Sequence, residues 1–159
     1  MNTLNDLNYK LAPNFALKEF KVSSDHPELA EKISFSLEDV LTLRILCLEC
    51  AQPIRDKFGT VMVLSGKRDE ELNSAVGGSK TSDHLTCNAA DLFPLDFHPE
   101  RVFKWIVKES NIPYRQVIYY PSQRFIHISS NIPQKQSKHD ALVCKEAGQT
   151  VGFYAYYKQ

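Results

Sequence analysis

The chain of 159 residues has no net charge, with 19 Lys+Arg against 19 Asp+Glu. It therefore offers no electrostatic reason to bind nucleic acid or an anionic membrane, and neither is expected as a partner. No apolar run approaches the roughly 18 residues that a spanning helix needs, and the opening MNTLNDLNYKLAPNF holds no signal-peptide core. Cytoplasmic synthesis without a signal peptide is expected. Glycine and proline are sparse, at 6 and 8. With no low-complexity or like-charge stretch either, collagen, disordered tails and an interdomain linker are excluded. A disulfide framework is also lacking. Cys47, Cys50, Cys87 and Cys144 are scattered and read as reduced core thiols. The CxxC of Cys47 and Cys50 lies inside a helical pattern with no glycine turn, so packing is expected of it rather than metal or redox chemistry.

What is present, 43% hydrophobic and 24% charged residues, is the profile of one soluble globular domain over residues 1–159. Residues 36–58 read as a helix with Ser36 as N-cap and Glu38 and Asp39 opposing the helix dipole. Leu37, Val40, Leu41, Leu48, Ala51 and Phe58 are taken as its core face, with a bend or split at Pro53 and a stop at Gly59. Val61–Leu64 read as a strand, Arg68–Ala75 as one or two helical turns, residues 76–88 as a loop, and AADLF as a second strand that carries Asp91. Pro99 opens a further helix. QVIYY (116–120) and RFIHISS (124–130) form a hairpin through Pro121 and Ser122, and the tail forms another that turns at Ala147 and Gly148. The expected fold is α+β, with helices packed on a small, mainly antiparallel sheet.

Chemistry is concentrated in few residues. His26, His98 and His139 have polar, loop-like neighbours and read as surface residues. His84 lies in a glycine-led loop seven residues before Asp91, and His127 shares a strand face with Phe125 and Ser129. Two imidazoles and a carboxylate would leave tetrahedral zinc one open position for water. The same residues are compatible with a hydrogen-bonding loop histidine and a satisfied core histidine, and spacing alone leaves both readings open.

The flanks carry more. Ser82-Asp83-His84-Leu85-Thr86-Cys87-Asn88-Ala89-Ala90-Asp91 resembles the SxHxxGxAxD signature of the zinc D-alanyl-D-alanine carboxypeptidase family. That family includes phage endolysins and vancomycin-resistance dipeptidases, and it shares its fold with the hedgehog signalling domain. PIRDKFG, SGKRDEELNSAVGGS and FIHIS are similar to further family motifs in the same order, and NFALKEF is similar to the family's amino-terminal helix, so the resemblance runs from about Phe15 to Ser129. It implies a hedgehog/D,D-peptidase-like fold and a zinc metallopeptidase acting on bacterial peptidoglycan peptides. The enzyme would be monomeric, acting on the wall after release or as a virion component. It further implies His84, Asp91 and His127 as zinc ligands, Ser82 as a supporting hydrogen-bonder and Arg68 as the substrate-binding arginine.

Two departures from the family stand out. Cys87 occupies a glycine position, which implies altered backbone geometry in the metal loop and a thiol near the site. The family's catalytic carboxylate is absent from its usual places, where this chain has Arg124, Tyr120 and Ser129. Asp83 and Asp96 are the nearest substitutes in sequence, and Tyr119 or Tyr120 could donate a proton or steady an oxyanion. The alternative expectation is a degenerate module that holds zinc and wall peptide without cleaving it.

Overall fold

A computed structural model describes residues 6–147 and 150–156. A short pair, β1 (Lys10–Ala12) and β2 (Phe15–Ala16), precedes a one-turn 3-10 helix at Leu17–Phe20 and α1 (Pro27–Ala30). NFALKEF is thus a strand and a single turn, not the helix expected of it. Its amides are drawn elsewhere: Leu17 N–H donates to the Tyr9 carbonyl, Lys18 N–H to that of Leu7, and Ala16 N–H to Glu19 Oε1.

Helix α2 (Leu37–Leu46) starts at a capping box: Asp39 N–H donates to Ser36 Oγ at 3.1 Å, and Ser36 N–H donates to Asp39 Oδ2 at 2.7 Å. It runs through a π-helical turn, Cys47–Ala51, into α3 (Gln52–Phe58), which Gly59 ends at φ 80°. The backbone stays helical across this junction, and Pro53 sits just after the π-helical turn, whose wider path accommodates the missing N–H. The buried face is Val40, Leu43, Cys47, Cys50, Ala51, Ile54 and Phe58. Leu37, Leu41 and Leu48, expected in the core, are 55%, 56% and 47% exposed. The helix is apolar on two adjoining stripes, and only one of them meets the sheet.

Six strands form the main sheet in the order β3-β4-β6-β5-β7-β8: β3 (Val61–Ser65), β4 (Ala89–Pro94), β5 (Tyr114–Tyr120), β6 (Phe125–Ser130), β7 (Asp140–Ala147) and β8 (Thr150–Ala155). All neighbours are antiparallel except β5 and β7. The final hairpin pairs Ala147 with Thr150, and Gly148 lies outside the described residues. Helix α4 (Glu70–Ala75) is capped by the Asp69 side chain, and α5 (Pro99–Lys108) carries Pro99 in its first turn. Ala90, Leu92, Val117, Ile126 and Ile128 share one sheet face and join α2, α3 and α5 in the core. The four cysteines are free and buried. Among the described residues, no helix is long and apolar enough to cross a membrane.

Candidate metal centre and cleft

The register sets a row of paired residues across the other face of the sheet: Ser65 with Asp91, Asp91 with His127, His127 with Ile118, Ile118 with Leu142. His84 arrives from the loop before β4, in a 3-10 turn (Asp83–Thr86) whose N-cap is Ser82; His84 N–H donates to Ser82 Oγ at 3.3 Å. His84 Nε2 lies 3.2 Å from both Asp91 Oδ1 and His127 Nδ1, and the latter two atoms are 2.9 Å apart. All three residues are buried.

Two backbone bonds hold His84 in this pose. Its Nδ1–H donates to the Gly66 carbonyl at 2.7 Å, and its own carbonyl accepts from Arg68 N–H at 3.1 Å. Gly66 has to be glycine, because a Cβ there would stand 2.2 Å from the Phe20 carbonyl oxygen. With Nδ1 protonated, Nε2 of the neutral ring presents a lone pair to the Asp91 carboxylate. Burial, ahead of its charged neighbours, lowers the His84 pKa and favours that neutral ring. Burial opposes the Asp91 charge, but the charge and hydrogen bonds that His84 and His127 supply when protonated outweigh it and keep the carboxyl well below the ordinary range; with the rings neutral, each facing atom offers a lone pair instead. Three lone-pair atoms thus face one another at 2.9–3.2 Å. Ligand atoms around a tetrahedral ion with bonds near 2.0 Å stand about 3.3 Å apart, so the donor set fits a divalent metal such as zinc. Among the described residues this is the one group of His, Cys and carboxylate side chains that could hold a metal ion.

Arg68 lies against this cluster. Its Nη2 donates to Asp91 Oδ2 and its Nε to Ser65 Oγ, both at 3.1 Å. Tyr120 is half-buried in the same cleft, and burial, with the Asp91 charge nearby, raises its pKa so that the hydroxyl stays protonated. Asp83 is at the cleft wall but is not free: Arg115 Nε and Lys135 Nζ donate to it at 3.1 and 2.6 Å. Burial would raise its pKa, but the hydrogen bond from Lys135 and the two cations bring it below the usual carboxylate value. The structure does not bring Asp96 to the site. It is exposed beyond the far end of β4, with Oδ2 facing Gly59. Arg124 is likewise exposed, in the β5–β6 turn with φ 58°.

Cys87 corrects an expectation. Its backbone takes the left-handed conformation that glycine favours, φ 59° and ψ 17°, so the loop is not reshaped. Its Sγ turns from the metal cluster and donates to Asp39 Oδ1 at 3.2 Å. Asp39 Oδ2 accepts from Lys67 Nζ at 2.5 Å, so one carboxylate from α2 ties the Gly66–Arg68 segment to the turn carrying His84. Sequence reasoning saw Asp39 only as a cap, since its partners lie 28 and 48 residues away. Asp25 and Phe153 were also missed, and both line the cleft, which has a volume of about 1310 Å³.

No curated protein matches the chain. The family model described as Peptidase M15 matches residues 14–129, from β2 into the last residues of β6, and so includes every residue of the metal cluster and Arg68. With most of its length so matched, the chain belongs to the peptidase M15 family, the D-alanyl-D-alanine carboxypeptidase-like group that its motifs resemble.

Proposed function

We propose that this protein is a zinc metallopeptidase that hydrolyses peptide bonds in bacterial peptidoglycan, as a D,D-carboxypeptidase or an endolysin. The observation that carries the reading is the convergence of His84 Nε2, Asp91 Oδ1 and His127 Nδ1 at 2.9–3.2 Å beside an open cleft. When bound by these residues, zinc supplies Lewis acidity and a coordination position left open for water.

The chain's own groups do the rest. Arg68 is braced by Asp91 and Ser65 through Nη2 and Nε, and its Nη1 has no protein acceptor among the described residues. It is the group for a substrate carboxylate, which a fixed guanidinium fork takes in two hydrogen bonds. The protonated Tyr120 hydroxyl is placed to donate to the oxygen that gains charge as the carbonyl is attacked. Asp83 has its lone pairs occupied by Arg115 and Lys135 and serves as an ionic hub. Asp25 makes no ion pair among the described residues and lines the same cleft, and it is the carboxylate left to carry a proton to the departing amine.

The test is incubation of the zinc-loaded protein with defined disaccharide-pentapeptides, read by mass spectrometry. Cleavage is expected, and Asp25→Asn should slow it by a factor of about 10² to 10⁴ with metal content unchanged. Binding of the fragments with no cleavage under any condition would replace this reading with a degenerate module that holds wall peptide without turning it over.

A further inference from the structure

Strands β7 and β8 lie outside the residues matched by the family model, and both border the cleft, through Leu142 and Phe153. β7 joins the sheet in parallel beside β5 and continues the site row with Leu142 opposite Ile118; β8 adds Phe153, paired with Cys144. The result is an aromatic wall. Tyr120 stacks on Phe125 with ring centroids 4.4 Å apart, and Phe153 meets Tyr120 edge-on at 6.2 Å. Phe153 is 52% exposed and faces the cleft. Of the cationic side chains that line the cleft, Arg115 and Lys135 gather around Asp83, and Arg68 is paired with Asp91 at the metal cluster. At the aromatic end the turn between β5 and β6 contributes Gln123, a neutral amide, to the lining.

We infer that Phe153, with Tyr120 and Phe125, forms a subsite for an N-acetylhexosamine ring of the glycan strand, an inference that rests on the peptidoglycan reading above. Stem peptides offer methyl groups, amides and charged groups, none of which fills a broad aromatic face. The flat C–H surface of a pyranose does, and its hydroxyl and acetamide groups suit a neutral amide such as Gln123. β8 lies three strands from β6, and Phe153 is displaced along the strand from the row containing His127, with its ring 6.2 Å from that of Tyr120, so the subsite borders the end of the cleft that holds the metal cluster.

The probe is the tetramer of N-acetylglucosamine, titrated calorimetrically into the wild type, Phe153→Ala and Phe153→Trp, with thermal melts to confirm folding. The wild type and Phe153→Trp should bind, and Phe153→Ala should bind roughly tenfold more weakly or worse. No binding by the wild type, or equal binding by Phe153→Ala, overturns the subsite. In cleavage assays Phe153→Ala should reduce, through KM, the wild type's preference for disaccharide-linked over free pentapeptide by a similar factor; an undiminished preference also overturns it. Phe153-dependent tetramer binding without cleavage of either peptide would sink the peptidase reading and leave the sugar subsite standing.

Discussion

The two faces of the central sheet are built from alternate residues of the same strands. One carries Ala90 and Leu92 on β4 with Ile126 and Ile128 on β6, all within 2% of complete burial. The other carries Asp91 and His127, interleaved between them and directly paired. The apolar face is specified by volume and tolerates any arrangement that fills it, whereas the site face is specified by the position of three donor atoms to a few tenths of an ångström. The first enforces the second. A one-residue slip of β4 would send Leu92 into the cleft and Asp91 into the core, so the hydrophobic register aims the ligands without touching them.

Neighbouring substitutions on β6 separate the two faces most sharply. Ile128→Ala should cost about 2–5 kcal/mol in urea unfolding of the metal-free protein, because it opens a cavity against the core. His127→Ala should cost less, about 1–3 kcal/mol, because it leaves the buried Asp91 carboxylate short of a partner. It should also lower metal content from near one ion per chain to near none, measured by elemental analysis. Full metal occupancy in His127→Ala would remove that residue from the site and break the comparison.

Asp39 is the next test, because it belongs to a core helix yet ties together the two segments that carry Arg68 and His84. Burial works against its charge, but the Lys67 ammonium, the Ser36 amide and the Cys87 thiol together hold its carboxyl below the usual value. A folded-state pKa below the unfolded one, about 3.9, gives stability that is fully present above that pH and is lost as pH falls through the folded-state value. Asp39→Asn should therefore cost about 1–3 kcal/mol near pH 7, and the two proteins should converge in stability under acid conditions below pH 4 or so. A difference that stayed constant from pH 7 to pH 2 would show that the Asp39 charge contributes nothing. Weaker metal affinity in Asp39→Asn is the further outcome expected if the tie positions the site.

The smallest effect is expected at Cys87. Glycine there would relieve the left-handed strain of about 1–2 kcal/mol, but it would free the unfolded chain and give up the thiol's bond to Asp39. These terms oppose each other. Cys87→Gly should alter stability by less than about 1 kcal/mol and keep its metal, as read by melting and elemental analysis. Loss of metal would mean that the thiol belongs to the site face after all.

Much of this was legible in the chain itself. The Ser36 cap, the Gly59 stop, the strands around Asp91 and His127 and the alternation that parts ligands from core are local properties, fixed by capping chemistry and by the period of two along a strand. The SDHLTCNAAD motif named His84, Asp91 and Ser82, and the structure brings them together with Arg68 and His127 in one cleft.

Tertiary structure alone decided the rest. Which of two apolar stripes on α2 is buried depends on where the sheet lies, and Leu37, Leu41 and Leu48 were left outside. Asp83 and Asp96 are equally plausible bases in sequence. One is neutralised by Arg115 and Lys135, which lie 32 and 52 residues away, and the other stands at the wrong end of its strand. The parallel docking of β7 on β5 placed Phe153 in the cleft, and no local pattern announces that pairing. Local geometry follows from neighbours along the chain, but the partner of a buried charge and the covering of an apolar face are set by contacts that exist only once distant segments have packed.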